Sequence, residues 1–208
     1  MDLARTKNIY CIGRNYRLHA QELGNKTPSS PMHFLKSPAS LRGAKPINGP
    51  FADEAFHFEA EIVLIVGAKK KLGSHVLVHE SLSGFGLGLD LTRRAVQKKL
   101  KEEGLPWAAA KNFKGSAVVL GFCPFSQCKD PGSIDFEFCL NGVCKQRGLS
   151  TNMLFSFEII LNYLLQYVDL EENDLIYTGT PEGVGAIRYG DEFRLSSHCL
   201  GLDEEGVL

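Results

Sequence analysis

The sequence predicts a β-rich α+β fold, and three observations carry that reading. Twenty-one glycines and nine prolines are spread along 208 residues, a spacing that suits many short strands joined by turns. Apolar runs with strand character outnumber the helical patterns. Strands and helices do not alternate regularly, which disfavours a doubly wound parallel sheet.

Taken in order, the chain enters a strand-like run at Ile9, Tyr10, Cys11 and Ile12. Residues 17–23 read as a short helical turn, and MHFLKSPASL as an extended run. Pro46, Asn48, Gly49 and Pro50 make 43–56 a loop. Strand signals follow at 57–66, 84–90, 117–122, 134–140, 174–178 and 191–196. LNGVCKQ contains the Asn-Gly pair of a hairpin turn. Two helices are clearer. LTRRAVQKKLKEEG opens beside Thr92, which is placed to cap it, and stops at Gly104 with Pro106 behind. NMLFSFEIILNYLLQYV is apolar nearly all round, at Met153, Leu154, Phe157, Ile160, Leu161, Leu164 and Leu165, which predicts a largely buried helix.

Composition narrows the function. The chain is 44% hydrophobic and 23% charged, an ordinary globular balance, and its length suits a single domain over 1–208. A formal net charge of -1 gives no basic excess for nucleic acid or a membrane surface. No apolar span is long enough to cross a bilayer, and MDLARTKNIYCIG lacks a basic-then-apolar signal layout. A cytoplasmic protein is expected. The six cysteines (11, 123, 128, 139, 144, 199) are scattered, mostly among apolar neighbours, so free, reduced, buried thiols are expected rather than a zinc site.

The most informative segment is HFEAEIVLIVG, residues 57–67. Side chains alternate across a strand, so Glu59 and Glu61 share a face, away from Phe58, Ala60, Ile62 and Leu64. Two like charges beside apolar surface are costly unless offset, and a hard divalent cation offsets them with the oxygen ligands it prefers. The plainer reading, slightly favoured on this segment alone, is a half-exposed strand with a polar face. Asp90 closes the glycine-spaced strand GFGLGLD just before a helix, where it serves as a cap or as a third oxygen donor. His19 and Glu22 lie three apart on the turn at 17–23. A carboxylate beside an imidazole sets its tautomer and raises its basicity, although an exposed i,i+3 pair is the commoner case. Lys111 in PWAAAKNF either anchors an anion or snorkels. Thr180 in YTGTPEGVG sits in a small-residue turn that faces a ligand or is simply tight.

In this order GRNYRLHAQELGN, FLKSP, HFEAEIVLIVG, LDLTRRAVQ, GLPWAAAKNF, MLFSFEIILNYL and DLIYTGTPEGVG resemble the fumarylacetoacetate hydrolase family, from about residue 8 to about 193. The likeness is greatest to its short, single-domain members: the acylpyruvate hydrolases, oxaloacetate decarboxylases among them, and the isomerase/decarboxylases of aromatic degradation. The resemblance implies a mixed β-roll or barrel with flanking helices. It implies Mg²⁺ or Mn²⁺ at Glu59, Glu61 and Asp90, and a His19–Glu22 dyad on a segment that orders over substrate. It implies a catalytic Lys111 that also touches substrate, substrate contacts from Arg14, Tyr16, Gln97 and Thr180, a small 2-oxo acid substrate, and a homodimer. Two departures stand out: Lys114, where many members carry an acidic residue, and the tail HCLGLDEEGVL.

The leading expectation is metal-dependent hydrolysis of a C–C bond in a 3-acylpyruvate, such as acetylpyruvate or fumarylpyruvate, with His19 activating water. Decarboxylation of oxaloacetate and isomerisation of a dienoic 2-oxo acid, of the 2-hydroxyhepta-2,4-diene-1,7-dioate kind, use the same enolate chemistry. The rival from another class is a ligand-binding pseudoenzyme, which has no need of the dyad.

Overall fold

The computed structural model describes residues 2–43 and 56–208. The loop expected over 43–56 lies almost wholly outside the described residues.

A curled, mixed seven-stranded sheet forms the centre. In chain order its strands are β1 (Ile9–Gly13), β2 (Met32–Lys36), β3 (Leu41–Arg42), β5 (Ala60–Val66), β6 (Leu82–Asp90), β7 (Ala117–Pro124) and β10 (Leu175–Tyr177); β4 (Phe56–Phe58) stands outside it. Their spatial order is β2-β1-β10-β5-β6-β7-β3, with β1 parallel to β10 and β3 parallel to β7. A second, antiparallel sheet runs β13-β12-β8-β9, from β8 (Asp135–Leu140), β9 (Val143–Leu149), β12 (Glu192–Ser197) and β13 (Leu202–Val207). β4 pairs with β11 (Gly185–Ile187). Among the described residues five α-helices flank the strands: α1 (Arg17–Glu22), α2 (Val78–Ser81), α3 (Arg94–Glu102), α4 (Ala108–Lys111) and α5 (Phe157–Leu164). Strand-rich α+β architecture follows as the sequence predicts.

Alternation along β5 divides the interior. Phe58, Ala60, Ile62, Leu64 and Val66 enter the large core, with Phe136, Phe138 and Leu195 of the second sheet and Ile160 and Leu164 of α5. Val63 and Ile65 face the other way, into a smaller cluster with Ile9, Val119 and Tyr177. Glu59 and Glu61 belong to that second face. Both are buried, so the half-exposed strand favoured on the segment alone is incorrect. The sheet is covered on both faces, and a strand buried twice carries no solvated polar side.

Several local expectations are corrected. The helix expected over 152–168 begins only at Phe157, because Ser156 caps it by accepting from the Ile159 N–H at 3.3 Å. Before it, Leu154 and Phe155 donate backbone N–H groups to Asn15 instead of a helix. Thr92 caps nothing: α3 starts two residues later, and the Thr92 hydroxyl is committed to the Asp90 carbonyl and the Lys111 ammonium. Cys139 and Cys144 are joined by a disulfide, while Cys11, Cys123, Cys128 and Cys199 are free and buried. The hairpin turn at Asn141-Gly142 makes the two disulfide sulfurs cross-strand neighbours, a proximity that composition does not reveal. Both turn residues have positive φ, as the sequence implies. The unusual tail forms β13, an edge strand on β12.

The glycine spacing of β6 is a packing requirement. Gly88 lies opposite Glu61 in the β5–β6 register. A Cβ there would approach the Val118 carbonyl oxygen at 2.5 Å and the Tyr177 ring at 2.9 Å. Gly88→Ala is therefore expected to destabilise the protein by about 1–3 kcal/mol, read as a lowered urea midpoint at unchanged m-value.

Candidate active site

The register of β5 against β6 brings the carboxylates together. Glu61 pairs with Gly88 and Ala60 with Leu89, and one step further the Asp90 N–H donates to the Glu59 carbonyl at 2.9 Å. Residues 59, 61, 88 and 90 share one face, and the missing side chain of Gly88 makes room there for Val63 and Tyr177. The three carboxylates each offer an oxygen within 4.8 Å of the others, and all are at most 6% exposed.

Cations from three elements meet them. Lys111 at the end of α4 donates to Glu59 Oε2, Asp90 Oδ2 and Thr92 Oγ1, each at 2.7 Å. Arg94 in the first turn of α3 donates to Glu59 Oε1. Lys36, at the end of β2, stands 2.8 Å from Asp90 Oδ1, an ion pair without hydrogen-bond alignment. Its ammonium donates instead to the carbonyls of Leu91, Ser116 and Lys111. Among the described residues no cation pairs with Glu61; its Oε2 accepts the Gly179 N–H at 2.6 Å.

The charges follow from these contacts. Burial raises the Glu59 pKa, but Lys111 and Arg94 outweigh it and hold the carboxyl well below the usual range. Burial also pushes Glu61 up, and the Asp90 and Glu59 charges add to the push. Lys111 is held above the ordinary lysine value: burial opposes its charge, and Asp90 and Glu59 more than compensate.

This donor set fits a hard divalent cation. It consists of carboxylate oxygens only, and Glu61 is the one member with no positive partner. The other such group among the described residues, Glu137 with Cys139 and Cys144, has its sulfurs tied in the disulfide.

Around the carboxylates lies a cavity lined by Arg14, His19, Gln97, Lys111 and Thr180 as well as Glu59, Glu61 and Asp90. Eight of the ten residues singled out in the sequence thus converge. His19 Nδ1 is 3.3 Å from Glu22 Oε2, and Glu22 Oε1 accepts the Gly183 N–H at 3.2 Å, which fixes the dyad against the turn after Thr180. Glu22 acts from behind His19 rather than lining the cavity. Tyr16 is buried outside the lining, and its hydroxyl has no hydrogen-bond partner among the described residues.

The residues missed by sequence reasoning are supports. Gln146 on β9 accepts from the Ala60 N–H at 3.0 Å, between the two glutamates, and donates to Thr180 Oγ1 at 2.8 Å and the Pro181 carbonyl at 2.9 Å. Lys36 and Arg94 were legible only as parts of FLKSP and LDLTRRAVQ. Asn15 joins the strand-to-α1 turn to the carbonyls of Phe155 and Thr178.

Comparison with known proteins follows the same lines. Residues 8–207 match the model of the fumarylacetoacetate (FAA) hydrolase C-terminal family. The chain is 37% identical over 193 residues to the mitochondrial oxaloacetate tautomerase FAHD1 of Bos taurus, covering 92% of this chain and 87% of that protein. It is 34% identical over 201 residues to the mitochondrial oxaloacetate decarboxylase of Dictyostelium discoideum, covering 96% and 91%. Among solved structures, the fumarylpyruvate hydrolase of Pseudomonas aeruginosa in complex with Mn²⁺ and pyruvate superposes with a TM-score of 0.87 at 29% identity, over 97% of this chain and 89% of that one.

Removing the Lys36 ammonium takes its donor from the Leu91 carbonyl, leaves the Ser116 and Lys111 carbonyls with the Leu91 N–H and the Ser116 hydroxyl, and leaves Asp90 short of a cation. Lys36→Met is expected to cost about 3–5 kcal/mol in unfolding free energy, measured by urea denaturation; a loss under about 1 kcal/mol would show that the network does not depend on it.

Proposed function

We propose, since the chain belongs to the fumarylacetoacetate hydrolase family, that it is a divalent-cation-dependent enzyme acting on small 2-oxo acids, with keto–enol tautomerisation of oxaloacetate as its leading reaction. The observation that carries the reading is the joining of a buried three-carboxylate cluster to a histidine–carboxylate dyad across one cavity. Sequence alone put 3-acylpyruvate hydrolysis first. The relatives named for oxaloacetate chemistry, at 34–37% identity over most of the chain, move oxaloacetate ahead.

Glu59, Glu61 and Asp90 would hold Mg²⁺ or Mn²⁺. When bound, the cation supplies Lewis acidity that stabilises negative charge developing on the 2-oxo oxygen. The chain's own groups do the rest. A carboxylate only accepts, so the Glu22 contact puts a hydrogen on His19 Nδ1, and in the neutral imidazole the lone pair is then on Nε2. That nitrogen takes a proton from C3; the C–H electrons form the C2–C3 double bond, and the carbonyl pair moves to oxygen. Return of the proton to that oxygen completes the enol, and the reverse sequence regenerates the ketone. The Lys111 ammonium and Thr180 hydroxyl line the place where the oxygen charge grows.

Hydrolysis of a 3-acylpyruvate is the second reading, favoured by the structural likeness to the fumarylpyruvate hydrolase. The same Nε2 would then take its proton from water attacking the distal carbonyl, and the enolate would be the leaving group. The single catalytic domain, the homodimer and the cytoplasmic location expected from the sequence belong to this proposal; among the described residues, no helix is long and apolar enough to cross a membrane.

Glu59→Gln and Asp90→Asn are expected to abolish tautomerisation, followed by enol absorbance, and to weaken Mn²⁺ binding while circular dichroism stays native. Near-normal turnover at saturating Mg²⁺ would count decisively against the cluster. His19→Ala should slow tautomerisation and acylpyruvate hydrolysis by about 10²–10⁴-fold, and oxaloacetate decarboxylation, which needs no activated water, far less. Equal losses in all three would show that the dyad is not the proton carrier.

A further inference from the structure

The cavity holds more positive charge than its carboxylates neutralise. Arg94 pairs with Glu59, Lys111 with Glu59 and Asp90, and Lys36 with Asp90, so three cations are engaged by two of the three carboxylates. Arg14 and Lys101 also line the cavity, and neither has a carboxylate partner among the described residues. The Lys101 ammonium donates to the neutral Asn25 Oδ1 at 3.1 Å. Arg94, Gln97 and Lys101 follow one face of α3 at i, i+3 and i+7, so the face that begins at the metal-type carboxylates ends at Lys101. Desolvation and the Arg14 and Arg94 charges hold the Lys101 pKa below the ordinary lysine value, which marks how closely the three cations gather. Like charges gathered without a counter-ion repel, and a bound anion relieves the repulsion. Arg14 adds a backbone sign of a specialised position: its φ is +59°, a left-handed conformation that costs a non-glycine residue energy.

We propose that Lys101, together with Arg14, forms the subsite for a second carboxylate of the substrate and makes the enzyme selective for 2-oxo dicarboxylic acids over 2-oxo monocarboxylic acids. The inference rests on the 2-oxo acid reading above and adds the residue that sets the substrate class. The 2-oxo acid end belongs with Lys111 and the three carboxylates, deep in the cavity. The second carboxylate belongs at Lys101, where the cavity meets a wider hollow along α3 lined by His57, Lys98 and Glu102. Asn25 follows α1, so its hydrogen bond to Lys101 also ties the subsite to the segment that carries His19 and Glu22. Lys101 is exposed on its helix, so its substitution leaves the fold intact.

The test uses the Mg²⁺-loaded protein and two 2-oxo acids of equal chain length, 2-oxoglutarate and 2-oxovalerate, compared by titration calorimetry. Wild type is expected to bind the dicarboxylate about tenfold or more tightly. Lys101→Met should lose most of that preference through a weaker Kd for 2-oxoglutarate, and Lys101→Arg should keep it. Equal weakening of both ligands in Lys101→Met, no preference in wild type, or binding of neither ligand would overturn the proposal. In kinetics, Lys101→Met should raise the KM for oxaloacetate about tenfold with kcat within about twofold, whereas a merely structural strut would lower kcat. A wild type inactive on oxaloacetate and acylpyruvates would reject the reaction proposed above, and the calorimetric preference would still decide the role of Lys101.

Discussion

The constraint on which this structure turns is the burial of Glu59, Glu61 and Asp90 on one face of a sheet whose other face is the hydrophobic core. Charged carboxylates that far from water persist only when paired and hydrogen-bonded. Lys111, Lys36 and Arg94 supply that pairing from three different elements. Their convergence explains why two lysines are buried at all, a rare placement for that residue. Glu61 is the exception. It receives a backbone N–H and, among the described residues, no cation, which leaves the cluster room for added positive charge.

The backbone meets the geometric half of this demand with simple means. Strand alternation sends apolar residues of β5 to one side and the glutamates to the other. A fixed register sets Glu59 against Asp90 and Glu61 against Gly88. The glycine admits the Tyr177 ring to the same layer. Gln146 then reaches in from the second sheet and bonds to both β5 and the Thr180 turn, so the two sheets meet through a hydrogen-bonded amide at the site. Chemistry and packing are therefore coupled: a change that shifts the register would disperse the carboxylates and move the core residues together.

Function follows from a division between floor and rim. The floor concentrates fixed charge in a dry setting, where electrostatic interactions are strongest. The rim carries His19, held by Glu22, on a helix of only six residues. Such a short helix derives its stability from tertiary contacts rather than from propensity. Asn15 supplies one of them by anchoring the turn that precedes the helix. Lys101 and Asn25 join the rim from the α3 side, so the dyad segment is tied to the same helix that carries Arg94.

Much of this was legible in the linear chain. Alternation in 57–67 put Glu59 and Glu61 on one face, the 17–23 turn put His19 beside Glu22, and Asn-Gly marked the hairpin. These are short-range patterns, and local stereochemistry is enough to read them. The supports were not legible. Lys36, Arg94 and Gln146 carry no local signature, because each acts on a partner more than 30 residues away. The Cys139–Cys144 bond likewise depended on the pairing of β8 with β9. By itself the sequence determined the strand-rich fold, the chemical types gathered for the site and the family they resemble. Only the tertiary structure decided whether the carboxylates were solvated or buried, which cations neutralised them and which were left over, since pairing and desolvation are properties of positions in space rather than of positions along the chain.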